Sequence, residues 1–194
     1  MIAPIRNFRR LLRRLLKDVR GGEAIEIAIV GAPFIALVFA ILELGLVFIV
    51  STTLENATDE VTRQIRTGAL QTSGGNTATL KAAICNEMSW LGTNCSANLN
   101  LDVRTFANFA GQSAPPDPVA GGVVDPVNFC WDPGGAGSVV LVRAYYTWTL
   151  ILPVLNAGLK TTSSGKRLIT TATSFRNEPY SPTTPAPVAC PAVS

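Results

Sequence analysis

The feature that most constrains this chain is an apolar run near its N-terminus. From Ile27 to Val50, 24 consecutive residues carry a single charge, Glu43. As a helix they would extend about 36 Å, more than the roughly 30 Å of hydrocarbon in a bilayer. A helix this apolar also suits the centre of a large soluble protein, but 194 residues leave little core to wrap it. The run therefore predicts a retained transmembrane anchor. A cleaved secretory signal fits poorly, because its apolar stretch is about 7–15 residues and ends at an A-x-A site, whereas Ser51-Thr52-Thr53 follows here.

Charge orients the anchor. Residues 1–22 hold Arg6, Arg9, Arg10, Arg13, Arg14, Lys17 and Arg20 against Asp18, a net +6. Glu23, Glu26 and Glu43 give residues 23–50 a net −3, and residues 51–194 are neutral with nine charges of each sign. The overall +3 thus belongs to a short head, and no nucleic-acid partner is expected from it. The positive-inside rule puts the N-terminus in the cytoplasm and residues 51–194 across the membrane. The chain has no histidine, which excludes His-based triads, His-rich metal sites and the usual pH switch.

The entrance to the anchor reads Arg20-Gly21-Gly22-Glu23-Ala24-Ile25-Glu26-Ile27. A carboxylate at the membrane edge needs compensation. Cutting after Gly21 would create an α-amine on Gly22 able to neutralise Glu26 of a neighbouring subunit. This pattern resembles the type IV prepilin cleavage site, with glutamate at mature position five. More closely it resembles the TadE-like family of pilus-assembly proteins, the minor pseudopilins of tight-adherence systems. The similar pieces are Arg20-Gly21 with Glu26, Pro33 within the span, and Leu42-Glu43-Leu44-Gly45. The likeness covers roughly residues 18–50. It departs at Ile27, where the family has an aromatic, and the paired glycines leave two registers; cleavage after Gly21 is preferred, because cleavage after Gly22 puts Glu26 at position four. Each piece has a plain alternative: a flexible Gly21-Gly22 joint, acidic residues complementing a helix N-terminus, a simple kink at Pro33, and a Glu43 that snorkels outward or hydrogen-bonds within the protein. Their spacing on one anchor favours the pseudopilin reading.

Glu43 is the most informative residue of the span. Its helical neighbours Phe39, Ala40, Leu46 and Val47 are all apolar, so nothing on its own helix pairs with it. Intramembrane carboxylates face partners rather than lipid. With Gly45 permitting close approach, Glu43 is expected at a helix–helix contact.

Beyond the span the pattern becomes amphipathic. Leu54, Ala57 or Thr58, Val61, Ile65 and Gly68 or Ala69 recur at helical spacing, which predicts one helix over about residues 23–70. Ser73-Gly74-Gly75-Asn76 breaks it. Asn76 or Thr77 then caps a second helix reaching Leu91, with Leu80, Ile84, Met88 and Leu91 on one face. Strands follow at residues 99–106, 139–152 and 167–175, separated by a glycine- and proline-rich surface loop over 111–137. The expected fold is α+β and type IV pilin-like. A basic cytoplasmic leader (1–21) precedes a transmembrane helix (22–50), a periplasmic domain with an antiparallel sheet of at least three strands (51–178), and a proline-rich tail (179–194).

Cys85, Cys95, Cys130 and Cys190 all fall on the outer side, an even number suited to two disulfides in an oxidising compartment. Three connectivities exist. Cys85–Cys95 is favoured because it closes a short helix-to-strand loop, leaving Cys130–Cys190 to tie loop to tail. A zinc site lacks C-x-x-C and histidine, and Trp131 beside Cys130 is expected to pack. No metal, no cofactor and no catalytic residue is expected.

The resemblance implies a structural minor pseudopilin, single-pass in the bacterial inner membrane, assembling a tight-adherence (type IVc-like) pilus or secretion system or entering the filament. Its implied partners are membrane lipid, the major pilin, a sister pseudopilin, the prepilin peptidase and an inner-membrane assembly platform. The alternative is a membrane-tethered extracytoplasmic binding domain of unknown ligand. Enzyme readings find no G-x-S-x-G or Ser-x-x-Lys, and Ser163-Ser164-Gly165-Lys166 lacks the phosphate-loop glycine spacing. A double-glycine leader for an exported peptide is disfavoured by the basic head and the 172-residue remainder.

Overall fold

The computed structural model of the protein describes residues 21–111, 115–152, 156–181 and 190. The basic head over 1–20 and most of the proline-rich tail lie outside the described residues. The fold is α+β: a long N-terminal apolar helix followed by a small domain of helices and an antiparallel sheet.

The chain divides into two units, Met1–Leu42 and Glu43–Ser194. In the first, the described residues belong almost entirely to helix α1, whose full extent is Gly22–Arg66. Apolar side chains there stand in the open, among them Ile27, Ile29, Val30, Phe34 and Ile41. Among the described residues α1 is the one helix long and apolar enough to cross a membrane; its most apolar window has a mean hydropathy of 2.7 and is 11% buried. A soluble core helix of that hydropathy would be covered. Pro33 lies within α1, which continues through it.

The second unit forms a hydrophobic core. The stripe Val50, Leu54, Ala57, Val61 and Ile65 repeats every three or four residues on α1 and is buried throughout. At the top of the stripe the helix stops earlier than the periodicity suggested, at Arg66. Gly68 adopts φ +77°, and a Cβ there would come within 2.4 Å of the Tyr180 ring. The residue that fitted the apolar spacing is thus the one that breaks the helix, because only glycine takes this backbone at no steric cost. A single turn, α2 (Ala69–Thr72), follows.

Helix α3 (Thr77–Glu87) begins on a capping box in which the Asn76 side chain accepts from the Thr79 N–H. Leu80, Ile84 and Met88 are fully buried on one face. The expected continuation to Leu91 is a change of geometry instead: a 3-10 segment over Ser89–Asn94 leads to α4 (Cys95–Asn98). The Cys85–Cys95 disulfide, Cα–Cα 5.7 Å, joins α3 to the first residue of α4.

Three strands close the domain. β1 (Leu99–Phe106) runs antiparallel to β4 (Val139–Thr149), and β4 to β5 (Lys166–Arg176), in the order β1-β4-β5. Val103 lies opposite Val142, and Val142 opposite Thr173. Leu99, Leu101, Val103, Val140, Val142, Ala144 and Tyr146 alternate onto the face that meets the core. Between β1 and β4 a two-strand hairpin, β2 (Val119–Ala120) with β3 (Val123–Val124), sits in the segment expected to be a surface loop. The end of that segment is not at the surface: Cys130 and Trp131 are buried, and Trp131 bridges in parallel to Val103. The open edge of β1 supplies the reason, since its backbone groups need partners. The Val103 N–H donates to the Cys130 carbonyl at 2.8 Å, and the Asp132 N–H to the Val103 carbonyl at 2.9 Å. One helical turn, α5 (Asn156–Leu159), lies between β4 and β5.

Ile84 has no exposed surface. Ile84→Ala is expected to destabilise the domain by about 2–5 kcal/mol, read as a lower unfolding midpoint in detergent. Asn86 is exposed on the same helix, and Asn86→Ala should leave the midpoint nearly unchanged.

Candidate functional site

Glu43 is 2% exposed, although it belongs to the apolar run. Its two carboxylate oxygens accept from two successive backbone N–H groups, Ile151 at 2.5 Å and Leu152 at 2.9 Å. These donors sit just past the end of β4, where the chain leaves the sheet and its N–H groups have no ladder partner. A carboxylate held by two backbone amides forms charge-assisted bonds, stronger than neutral ones. Within this chain Glu43 makes a helix-to-strand-end contact, and a helix–helix contact with a neighbouring subunit remains a proposal. The physical reason is proximity: Leu150, 8% exposed, brings the strand end onto the lower edge of the core that Val50 begins.

The outer rim of the apolar run is satisfied internally. Thr52 Oγ1 donates to the Phe48 and Ile49 carbonyls, each at 3.1 Å, and Thr53 Oγ1 to the Ile49 carbonyl at 2.7 Å. Two of the three hydroxyls that follow the span, Thr52 and Thr53, thus bond to their own helix.

A second charged group lies on the opposite face of the sheet. Asp102, 1% exposed, stands directly across from Arg143 on β4. Its carboxylate accepts from Arg104 Nε at 3.0 Å, Arg143 Nε at 2.9 Å and Nη2, and the Cys130 N–H at 2.7 Å. Arg104 also donates to the Asn128 carbonyl at 2.6 Å. The cluster fastens the segment before Cys130 across β1 and β4. Phe129 stacks on Tyr145 at 5.4 Å, and the Arg143 guanidinium lies 5.4 Å from the same ring. Burial pushes the Tyr145 hydroxyl up to about 12, with Asp102 adding to the rise and Arg143 opposing it. Sequence reasoning missed this cluster. Strand alternation assigned Asp102 to a polar face without showing that the following loop covers that face.

The remaining sequence-derived positions do not form one constellation. A Cβ on Gly21, Gly22 or Gly45 would meet nothing within 4 Å, and the Glu26 position is exposed. Cys130 and Cys190 form the second disulfide, Cα–Cα 4.2 Å. Among the described residues no cysteine is free and no group of three or more His, Cys, Asp or Glu is placed to hold a metal ion. Ser163 and Gly165 sit in the turn before β5, where the Ser163 N–H donates to the Gly122 carbonyl at 2.7 Å. What the arrangement does chemically is hold: among the described residues, both oxygens of each of the two buried carboxylates accept a hydrogen bond.

Residues 21–63 match the family model of TadE-like protein. This is the family whose likeness was read in the sequence, and the match starts at Gly21 and runs past the apolar stretch into the amphipathic part of α1. Residues 64–194, which include the whole sheet, lie outside it. No curated protein and no solved structure matches the chain.

Glu43→Ala leaves two N–H groups without acceptors, at about 1–3 kcal/mol each. Amide exchange at Ile151 and Leu152 should accelerate roughly tenfold or more in that variant, while the amides of β1 keep their protection. Tyr145 gives a pH signature. Its folded value lies above the unfolded value of about 10, so its contribution is complete below pH 10 and is lost as pH rises towards about 12. The unfolding midpoint should fall across that window, and less steeply in Tyr145→Phe.

Proposed function

We propose that this protein is a structural component of tight-adherence pilus assembly, a minor pseudopilin held in the bacterial inner membrane by α1. The observation that carries the reading is the TadE-like match on the anchor itself, residues 21–63, where α1 keeps its apolar side chains uncovered. A helix with that surface serves equally to sit in lipid and to pack against the helices of sister subunits. The family is pilus-related and structural, which agrees with a domain whose buried carboxylates, Glu43 and Asp102, are held by backbone and guanidinium donors.

In this reading the basic head is a cytoplasmic leader removed after Gly21 by a prepilin peptidase. The new amine on Gly22 neutralises Glu26 of a neighbouring subunit during helix packing. The domain beyond Val50 faces the periplasm, where both disulfides persist. The major pilin, a sister pseudopilin and an inner-membrane platform are its partners. The tethered binding-domain alternative rests on no specific observation. Among the described residues a 310 Å³ cleft lined by Asp59, Thr62, Arg63, Arg66, Thr173 and Phe175, among others, is open to solvent.

N-terminal sequencing of the protein from cells with active peptidase tests the reading. A start at Gly22 is expected. A start at Met1 overturns the processing claim, and a start near Ser51 overturns the anchor. Normal pilus assembly by a Glu26→Ala variant would remove the role given to that carboxylate.

A further inference from the structure

The Glu43 contact fixes the level of the strand end along the apolar run. Glu43 lies seven residues before Val50, about 10 Å along a helix. Because the Ile151 and Leu152 N–H groups bond to its carboxylate, the segment Leu150–Leu152 sits beside that run rather than above it. Its surface suits the place: Leu150 turns into the core, whereas Ile151 is 64% exposed. On α1 Leu44, next to Glu43, is also exposed, as are Phe48 and Ile49 about 7–9 Å further along the helix. If α1 crosses a membrane, Leu44 and Ile151 lie at about one depth in it.

The charges nearby agree. The sequence from Pro133 to Asn177 contains no Asp or Glu. Lys166 pairs with Thr149 and Arg167 with Trp148 at this end of the sheet, and Lys160 is exposed between β4 and β5. Basic residues beside an apolar tip are common at a membrane interface, where Lys or Arg reach anionic lipid.

We infer that the chain just past β4, at Ile151, is a second membrane contact. The Ile151 tip enters the acyl region of the leaflet that α1 crosses, and Lys160, Lys166 and Arg167 meet anionic headgroups at its margin. The occupant of the exposed surface is lipid, because Ile151 lies at the level of Glu43, inside the apolar run that the transmembrane reading places in lipid. The domain is thereby seated on the bilayer at two points. The inference rests on the transmembrane reading of α1, and the test separates the two.

Full-length chain carrying a single environment-sensitive fluorophore is reconstituted at low density in vesicles of phosphatidylethanolamine and phosphatidylglycerol. Probes are placed by Ile151→Cys, Phe48→Cys and Val123→Cys, labelled without reductant so that the disulfides stay closed. All three positions are exposed, so the substitutions leave the core intact. Blue-shifted emission and loss of signal on chain-brominated lipid are expected at positions 151 and 48, and quenching by aqueous iodide at 123. If 48 is quenched by lipid while 151 responds to iodide, the second contact is overturned and the anchor stands. Protection of 151 from both quenchers means that protein covers it, which also overturns the proposal. If neither 48 nor 151 senses brominated chains, the transmembrane reading fails and takes the inference with it.

Discussion

A carboxylate in an apolar run has to be paired, and the rest of this structure follows from how Glu43 is paired. Its acceptors meet two backbone donors that are more than a hundred residues away in sequence. For those donors to arrive, β4 must end on the lower margin of the core, and β5 must return beside it. Val50 and Leu54 then lie under the sheet rather than in the open. The same helix is thereby divided by environment: apolar side chains below Glu43 stand uncovered, and the stripe above Val50 is sealed by the domain's own strands.

The two faces of the sheet are closed by different physics. One face buries aliphatic side chains against α1 and α3, a cohesion that needs no directional partner. The other closes on Asp102, whose desolvated charge is tolerated because two guanidinium groups and one amide meet it. Removing one partner from such a group costs far more than the group contributes when intact. This face specifies one docking of the segment before Cys130, where a purely apolar face would accept several.

Much of the architecture is legible in the residues. The spacing from Leu54 to Ile65 marks the buried stripe, Asn76 marks a helix start, and the β-branched alternation from Val139 marks the central strand. These are local signals, repeated often enough to outweigh exceptions. Gly68 misleads, since it fits an apolar period but is chosen for its backbone freedom. The charged sites are harder. Backbone N–H groups at Ile151 and Leu152 leave no trace in the identity of their side chains, so the partner of Glu43 is invisible until the strands are paired. Asp102 looks like an ordinary exposed strand residue until register sets it opposite Arg143.

Thr52 and Thr53 turn their hydroxyls onto carbonyls one turn below. Polar groups satisfied in this way lose little when hydrocarbon reaches them, so the outer limit of the anchor is graded over a helical turn rather than sharp. Bilayers differ in thickness by a few ångströms, comparable to that turn of about 5.4 Å. Thr52 and Thr53 therefore blunt the polar edge of the apolar run over about that distance.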